Sequence, residues 1–98
     1  MQWDTGKFTG FDWDAGNSTQ NLDKHAVSGE QAEQIFVNAP VKILTDRVHS
    51  KIEARFHAFG RTNDSRFLTV AFTVRGSLIR IISARPMSRK ERKFYEKV

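Results

Sequence analysis

Apolar residues along this chain follow two different spacings, and the change between them falls at Pro40. Before it, "GFDW" predicts a short strand, and Asp14 is placed to cap a weak helix running to about His25 through the polar "NSTQN". Ser28 and Gln31 then stand three apart as a capping box, with Ala32, Ile35 and Phe36 following at one-face helical spacing, and the helix should stop before Asn38-Ala39-Pro40. After Pro40 the pattern alternates. "VKILTD" predicts a short strand, and "KIEARFHAF" sets Ile52, Ala54, Phe56 and Ala58 on one side against Glu53, Arg55 and His57 on a polar side able to carry chemistry. "RFLTVAFTV" predicts a central strand covered on both faces, "RGS" a turn, and "LIRIISA" a third member of an antiparallel meander. Ser88 and Glu91 form another capping box, opening a last helix with Phe94, Tyr95 and Val98 as its apolar stripe. The expected class is α+β: a small antiparallel sheet of three or four strands, two N-terminal helices and one C-terminal helix.

With 98 residues, the chain is expected to form one domain around one modest core. Its 39% hydrophobic and 28% charged residues describe a folded globule. No apolar run reaches the roughly 20 residues that span a bilayer, and the N-terminus lacks the regions of a signal peptide, so a cytoplasmic location is expected. There is no cysteine, and His25, His49 and His57 show no paired zinc spacing, so neither a metal nor another cofactor is expected.

Charge sharpens the picture once it is divided along the chain. Met1 to Ser77 hold nine basic and nine acidic residues, whereas Leu78 to Val98 hold seven basic and two, so the whole net charge of +5 lies in the final segment. A field of that kind attracts polyanions, nucleic acid first. Arg80 interrupts a run of aliphatics, where a guanidinium needs an anionic partner or an open cleft, and Arg85 precedes the basic helix, where several cations could meet one phosphate. Lys24-His25 stands near a helix C-terminus, Glu53 and Arg55 alternate onto one strand side as a surface ion pair or a site in which Arg55 holds Glu53 ionised, and Tyr95 can bury its ring while exposing its hydroxyl. No phosphate-binding Gly loop, nucleophile elbow or HExxH helix is present.

"FDWDAGNSTQNLDKHAVSGEQAEQIF", "EARFHAFGRT" and "RFLTVAFTVRGSLIRIISARPMSRKERKFYE" together resemble the BrnT family, ribonuclease toxins of bacterial BrnT-BrnA toxin-antitoxin pairs, from about Phe11 to Glu96. The resemblance implies a RelE-like fold, RNA as substrate, and a BrnA-like ribbon-helix-helix antitoxin through which any DNA contact would run. It implies metal-independent cleavage that uses the ribose 2′-hydroxyl as nucleophile. Glu53 or His25 is then a candidate base, Arg55, Arg80 and Arg85 stabilise the phosphate, and Lys24 or Tyr95 aids proton delivery. Arg89, Lys90, Arg92 and Lys93 are the expected RNA-binding cations. The chain departs from the family pattern at Ala26, where relatives usually have Gly, at Gly29, where many have a large apolar residue, and at Asn17, where many have Lys. Asn17 and Ala26 support an alternative, a catalytically inactive homologue that binds RNA or antitoxin. Residues 1–10 have no counterpart in the family pattern and read as an extension.

Overall fold

The computed structural model describes residues 7–17, 25–48 and 51–97. Five strands form one sheet in the order β1-β5-β4-β3-β2: β1 Gly10–Phe11, β2 Lys42–Asp46, β3 Arg55–Arg61, β4 Phe67–Arg75 and β5 Leu78–Pro86. Helix α1, Gly29–Gln34, precedes β2, and α2, Arg89–Glu96, follows β5. The strands β2 to β5 are the expected antiparallel meander, but β1 runs parallel to β5, so the sheet is mixed.

The expected antiparallel sheet of three or four strands with two N-terminal helices is therefore corrected. β1 has only two residues, too few to show an alternation, and its parallel pairing is set by contacts 65 or more positions away. Thr9 N donates to Ser77 O and Asp12 N to Ile79 O, each at 2.9 Å, and Phe8 packs against the core, so residues 8–10 belong to the fold. Within the described residues Asp14 does not cap a helix: its Oδ1 accepts from Gly16 N at 2.8 Å in a tight turn over residues 15–17. The remainder of the expected first helix, residues 18–24, lies outside the described residues, and among the described residues one short helix precedes β2.

Both capping boxes form as the spacing requires. Gln31 N donates to Ser28 Oγ at 3.0 Å and Glu91 N to Ser88 Oγ at 3.1 Å, with each third-position side chain accepting from the cap residue's amide. α1 brings Val27, Ala32, Ile35 and Phe36 onto Ala58, Leu68, Val70, Phe72, Ile79, Ile81 and Ala84, sealing one face of the sheet. Phe36 meets Phe72 edge-on at 5.2 Å between ring centroids. The close approach depends on Gly60, where a Cβ would fall 2.8 Å from Ile35 Cβ. Gly29 lies under the Trp13 indole, whose Nε1 donates to Glu33 at 2.6 Å. Ile52, expected on the apolar side of β3, precedes the strand and is fully exposed.

α2 lies against the opposite face. Phe94 meets Phe59 at 5.4 Å and Tyr95 meets Phe67 at 5.9 Å, while Glu91 accepts from Arg85 at 2.6 and 2.7 Å and from Thr69 at 3.1 Å. Phe94 is thus only partly covered, and Val98 lies outside the described residues.

Two predictions follow from this architecture. Ala26 has a φ of 52°, the left-handed region that costs an L side chain about 1–2 kcal/mol and glycine almost nothing. Ala26→Gly should raise the unfolding midpoint in urea, with a gain of about 0.5–1 kcal/mol once the looser unfolded chain is counted. Arg85, and then the Ser88 amide, hold the Glu91 carboxyl down to about 2 from 4.5. A depressed carboxylate stabilises the fold above its unfolded pKa and loses that contribution as pH falls through the folded one. Stability should therefore decline between about pH 4.5 and pH 2, and Glu91→Gln should show a shallower decline in the same window when unfolding is followed by circular dichroism.

Candidate functional site

The face of the sheet opposite α1 is built in rows across the strands. One row places Leu44 beside His57, His57 beside Ala71 and Ala71 beside Ser83. A second, toward the β4–β5 turn, pairs Asp46 with Arg55 on one side and Thr73 with Arg80 on the other. A third runs Lys42, Phe59, Thr69, Arg85, and α2 covers it. α2 leaves the first two rows uncovered; Leu44 and His57 keep the first open to solvent, whereas Thr73, Asp46 and Arg80 in the second are largely covered by other side chains.

A register slip makes this face what it is. Phe72 pairs with Ile81 but Ala71 pairs with Ser83, leaving Ile82 as the extra residue of a bulge. Arg80 and Arg85 thereby come to lie opposite Thr73 and Thr69, two positions on the same side of β4. They share a face but not a pocket, since the four-residue separation of Thr73 and Thr69 corresponds to about 13 Å along the strand.

His57 Nε2 lies 3.3 Å from Asp46 Oδ2, with the imidazole about a third exposed and the carboxylate nearly buried. A carboxylate so placed orients the ring, leaving the imidazole edge available to a ligand on the open face. Arg55 stands one pair along β3 from His57, on the same side.

Arg80 is committed to carboxylates. Its two terminal nitrogens donate to Asp14 at 3.1 and 3.0 Å, and Nη1 is also 3.5 Å from Asp12. Hydrogen bonding by Arg80, followed by the Gly16 amide, holds the Asp14 carboxyl below its ordinary value, and Asp14 raises Arg80 in return. Arg75 continues the chain of charges, 3.1 Å from Glu53 and 4.0 Å from Asp12. Two guanidinium groups sit among three carboxylates here, so this end of the face is no simple cationic pocket.

Asn17 holds that arrangement in place. It is 3% exposed, and every polar atom of its side chain is used: Nδ2 donates to Ile81 O at 2.8 Å and Asp12 O at 3.1 Å, while Oδ1 accepts from Asp14 N at 2.8 Å. The amide extends the β1 edge by one more link to β5, next to the bulge. Asn17 is thus a buried brace between the turn after β1 and β5.

The expected residues therefore separate. Glu53 pairs with Arg75 rather than Arg55. Arg85 is bidentate to Glu91, which raises Arg85, and it anchors α2. Tyr95 donates its hydroxyl to Pro40 O at 2.6 Å, and burial pushes the phenol up, against Arg61. His25 is exposed; beside it Ala26 O accepts from Arg66 at 2.7 Å, near the β3–β4 connection and away from Arg80. Lys24 lies outside the described residues. On α2, Arg89, Lys90 and Lys93 are exposed, whereas Arg92 bonds Glu96 at 3.3 Å and lies 4.0 Å above the Phe67 ring. Asp46, Arg75 and Asp12 carry no signal in the sequence, Asp14 reads there only as a helix cap, and His57 only as a member of the polar side of its strand. His57 was within reach, two positions from Arg55 on the same alternating side. Among the described residues no group of three His, Cys, Asp or Glu is placed to hold a metal ion.

No curated protein sequence matches the chain. A family model described as the ribonuclease toxin BrnT of type II toxin-antitoxin systems matches residues 13–91, a stretch that holds Trp13, the Asp14–Arg80 fork, the Asn17 brace, the His57–Asp46 pair and the first turn of α2. The chain belongs to the BrnT family of ribonuclease toxins of type II toxin-antitoxin systems.

Proposed function

We propose that this chain cleaves RNA on the open sheet face without a metal ion, the ribose 2′-hydroxyl attacking the adjacent phosphate. The observation that carries the reading is the His57–Asp46 pair beside Arg55 on a face that α2 leaves uncovered. Neutral His57 accepts the 2′-hydroxyl proton and Asp46 stabilises the imidazolium that results. Arg55 neutralises charge building on the phosphate, and Arg80 joins it by exchanging Asp14, the exposed member of its fork, for a phosphate oxygen. The 5′-oxygen leaves and takes a proton from solvent, giving a 2′,3′-cyclic phosphate and a 5′-hydroxyl end. Glu53, His25, Lys24 and Tyr95 become secondary candidates, because they are paired elsewhere, lie away from this face or lie outside the described residues.

Arg89, Lys90 and Lys93 extend the cationic surface along α2 and hold the RNA backbone, with Arg92 stiffened by Glu96 and Phe67. The chain acts as one domain in the cytoplasm, and a BrnA-like ribbon-helix-helix antitoxin neutralises it and carries any contact with DNA. No helix among the described residues is long and apolar enough to cross a membrane. A second reading, a binding module without cleavage, draws on the carboxylates that already occupy Arg80 and Arg85.

Purified protein with chelator present should cut RNA to the two ends named above. His57→Ala and Arg55→Ala should each lower cleavage about 100-fold or more while leaving the circular dichroism spectrum intact. Full activity in both variants would remove this face, and intact RNA with the unsubstituted protein alongside normal antitoxin binding would favour the binding module. RNA affinity should fall steeply with salt, and Arg89→Ala with Lys90→Ala should reduce the slope by about 1.4–1.8 while leaving the chemical step unchanged. A slope unaltered by the double substitution would take α2 out of the RNA path.

A further inference from the structure

β2 ends the sheet, and among the described residues no strand covers its outer edge. Four of the five large apolar side chains left exposed in the described chain gather along this side: Leu44 at 48%, Val48 at 74%, Ile52 at 101% and Phe94 at 37%. Leu44 stands on the open face next to His57, Phe94 lies beneath the Lys42 ammonium at 5.0 Å, and Val48 and Ile52 line a cleft of about 350 Å³ with Lys51, Glu53 and Arg55. A bare strand edge flanked by apolar side chains is a site that proteins ordinarily blunt unless something binds there.

The charges indicate what binds. The acidic groups near the edge are already used, Asp46 by His57 and Glu53 by Arg75. Arg47, Lys51 and Lys97 are exposed with no acidic partner among the described residues, and Lys42 spends its protons on the Phe94 and Lys97 carbonyls. Backbone donors and acceptors, an apolar strip and uncompensated cations together fit an extended, acidic chain with alternating apolar side chains.

We infer that the outer edge of β2 receives such a segment from an acidic partner protein as a sixth strand, with Leu44, Val48 and Ile52 against its apolar side chains. Identification of that partner as the antitoxin rests on the toxin reading above. A strand added here stands directly beside the His57–Asp46 pair, so one contact would both hold the partner and deny RNA the open face.

The test uses the full chain and its cognate antitoxin. Val48→Ser with Ile52→Ser removes the apolar strip at exposed positions without adding charge beside Arg55, which lines the same cleft. The double variant should cut RNA at the unsubstituted rate and bind antitoxin about 100-fold more weakly by calorimetry. In the unsubstituted complex, the amides of Lys42–Asp46 should gain protection from hydrogen exchange. Unchanged antitoxin affinity, or no protection at β2, would overturn the inference. So would self-association of the chain alone that the double variant abolishes, since the edge would then belong to a second copy. A protein that fails to cut RNA yet shows the affinity loss and the protection would retain this docking surface and lose only the toxin reading.

Discussion

Arg80 and Arg85 are five positions apart, and in an unbroken strand that odd spacing would direct them to opposite sides of the sheet. The extra residue at Ile82 cancels the mismatch. Without it, one of the two guanidinium groups would be driven into the side sealed by α1, among Ile35, Phe36 and Phe72, where an unpaired cation is untenable. The bulge thus lets one short strand carry Ile79, Ile81 and Ala84 into the core and both arginines to the other side. The Asn17 amide, bonded to the carbonyl of Ile81, satisfies the edge group that β1 is too short to reach.

Division of labour between the two arginines follows. Arg85 is matched by Glu91, and that fork binds the last helix to the third row of the sheet. Arg80 is matched by Asp14 in a fork of similar geometry but far more open to water on the carboxylate side. Charge that looks, in the linear sequence, like one basic block is in space two neutralised clusters and a cationic helix surface. The family membership fixes the general activity of the chain, and these local balances leave Arg89, Lys90 and Lys93 as exposed cations of α2.

Features governed by local chemistry were legible in the sequence. The two serine capping boxes, the antiparallel run of strands after Pro40 and the central, largely buried strand in "RFLTVAFTV" depend on residues a few positions apart, and they form, although β3 begins only at Arg55. Arg80 likewise announced that it needed an anion, being polar amid aliphatics. What could not be read depends on long-range register. The parallel pairing of Gly10 with Leu78, the identity of Arg80's partner and the face shared with Arg85 are set by contacts that no periodicity encodes. Asp14 looked like a helix cap because a small carboxylate suits a turn equally well, and Glu53 looked like Arg55's partner because strand alternation does not reveal that the strand starts two residues later.

The Asp14–Arg80 fork joins residues 66 positions apart, and β1 can pair only with the last strand of the meander. Chains are made from the N-terminus onward, so β5 is the last of the five strands to leave the ribosome. Until then Asp14 has no guanidinium to hold, Asn17 has no Ile81 carbonyl to brace, and β1 has no neighbour. A nascent chain that stops short of β5 therefore lacks the assembled face.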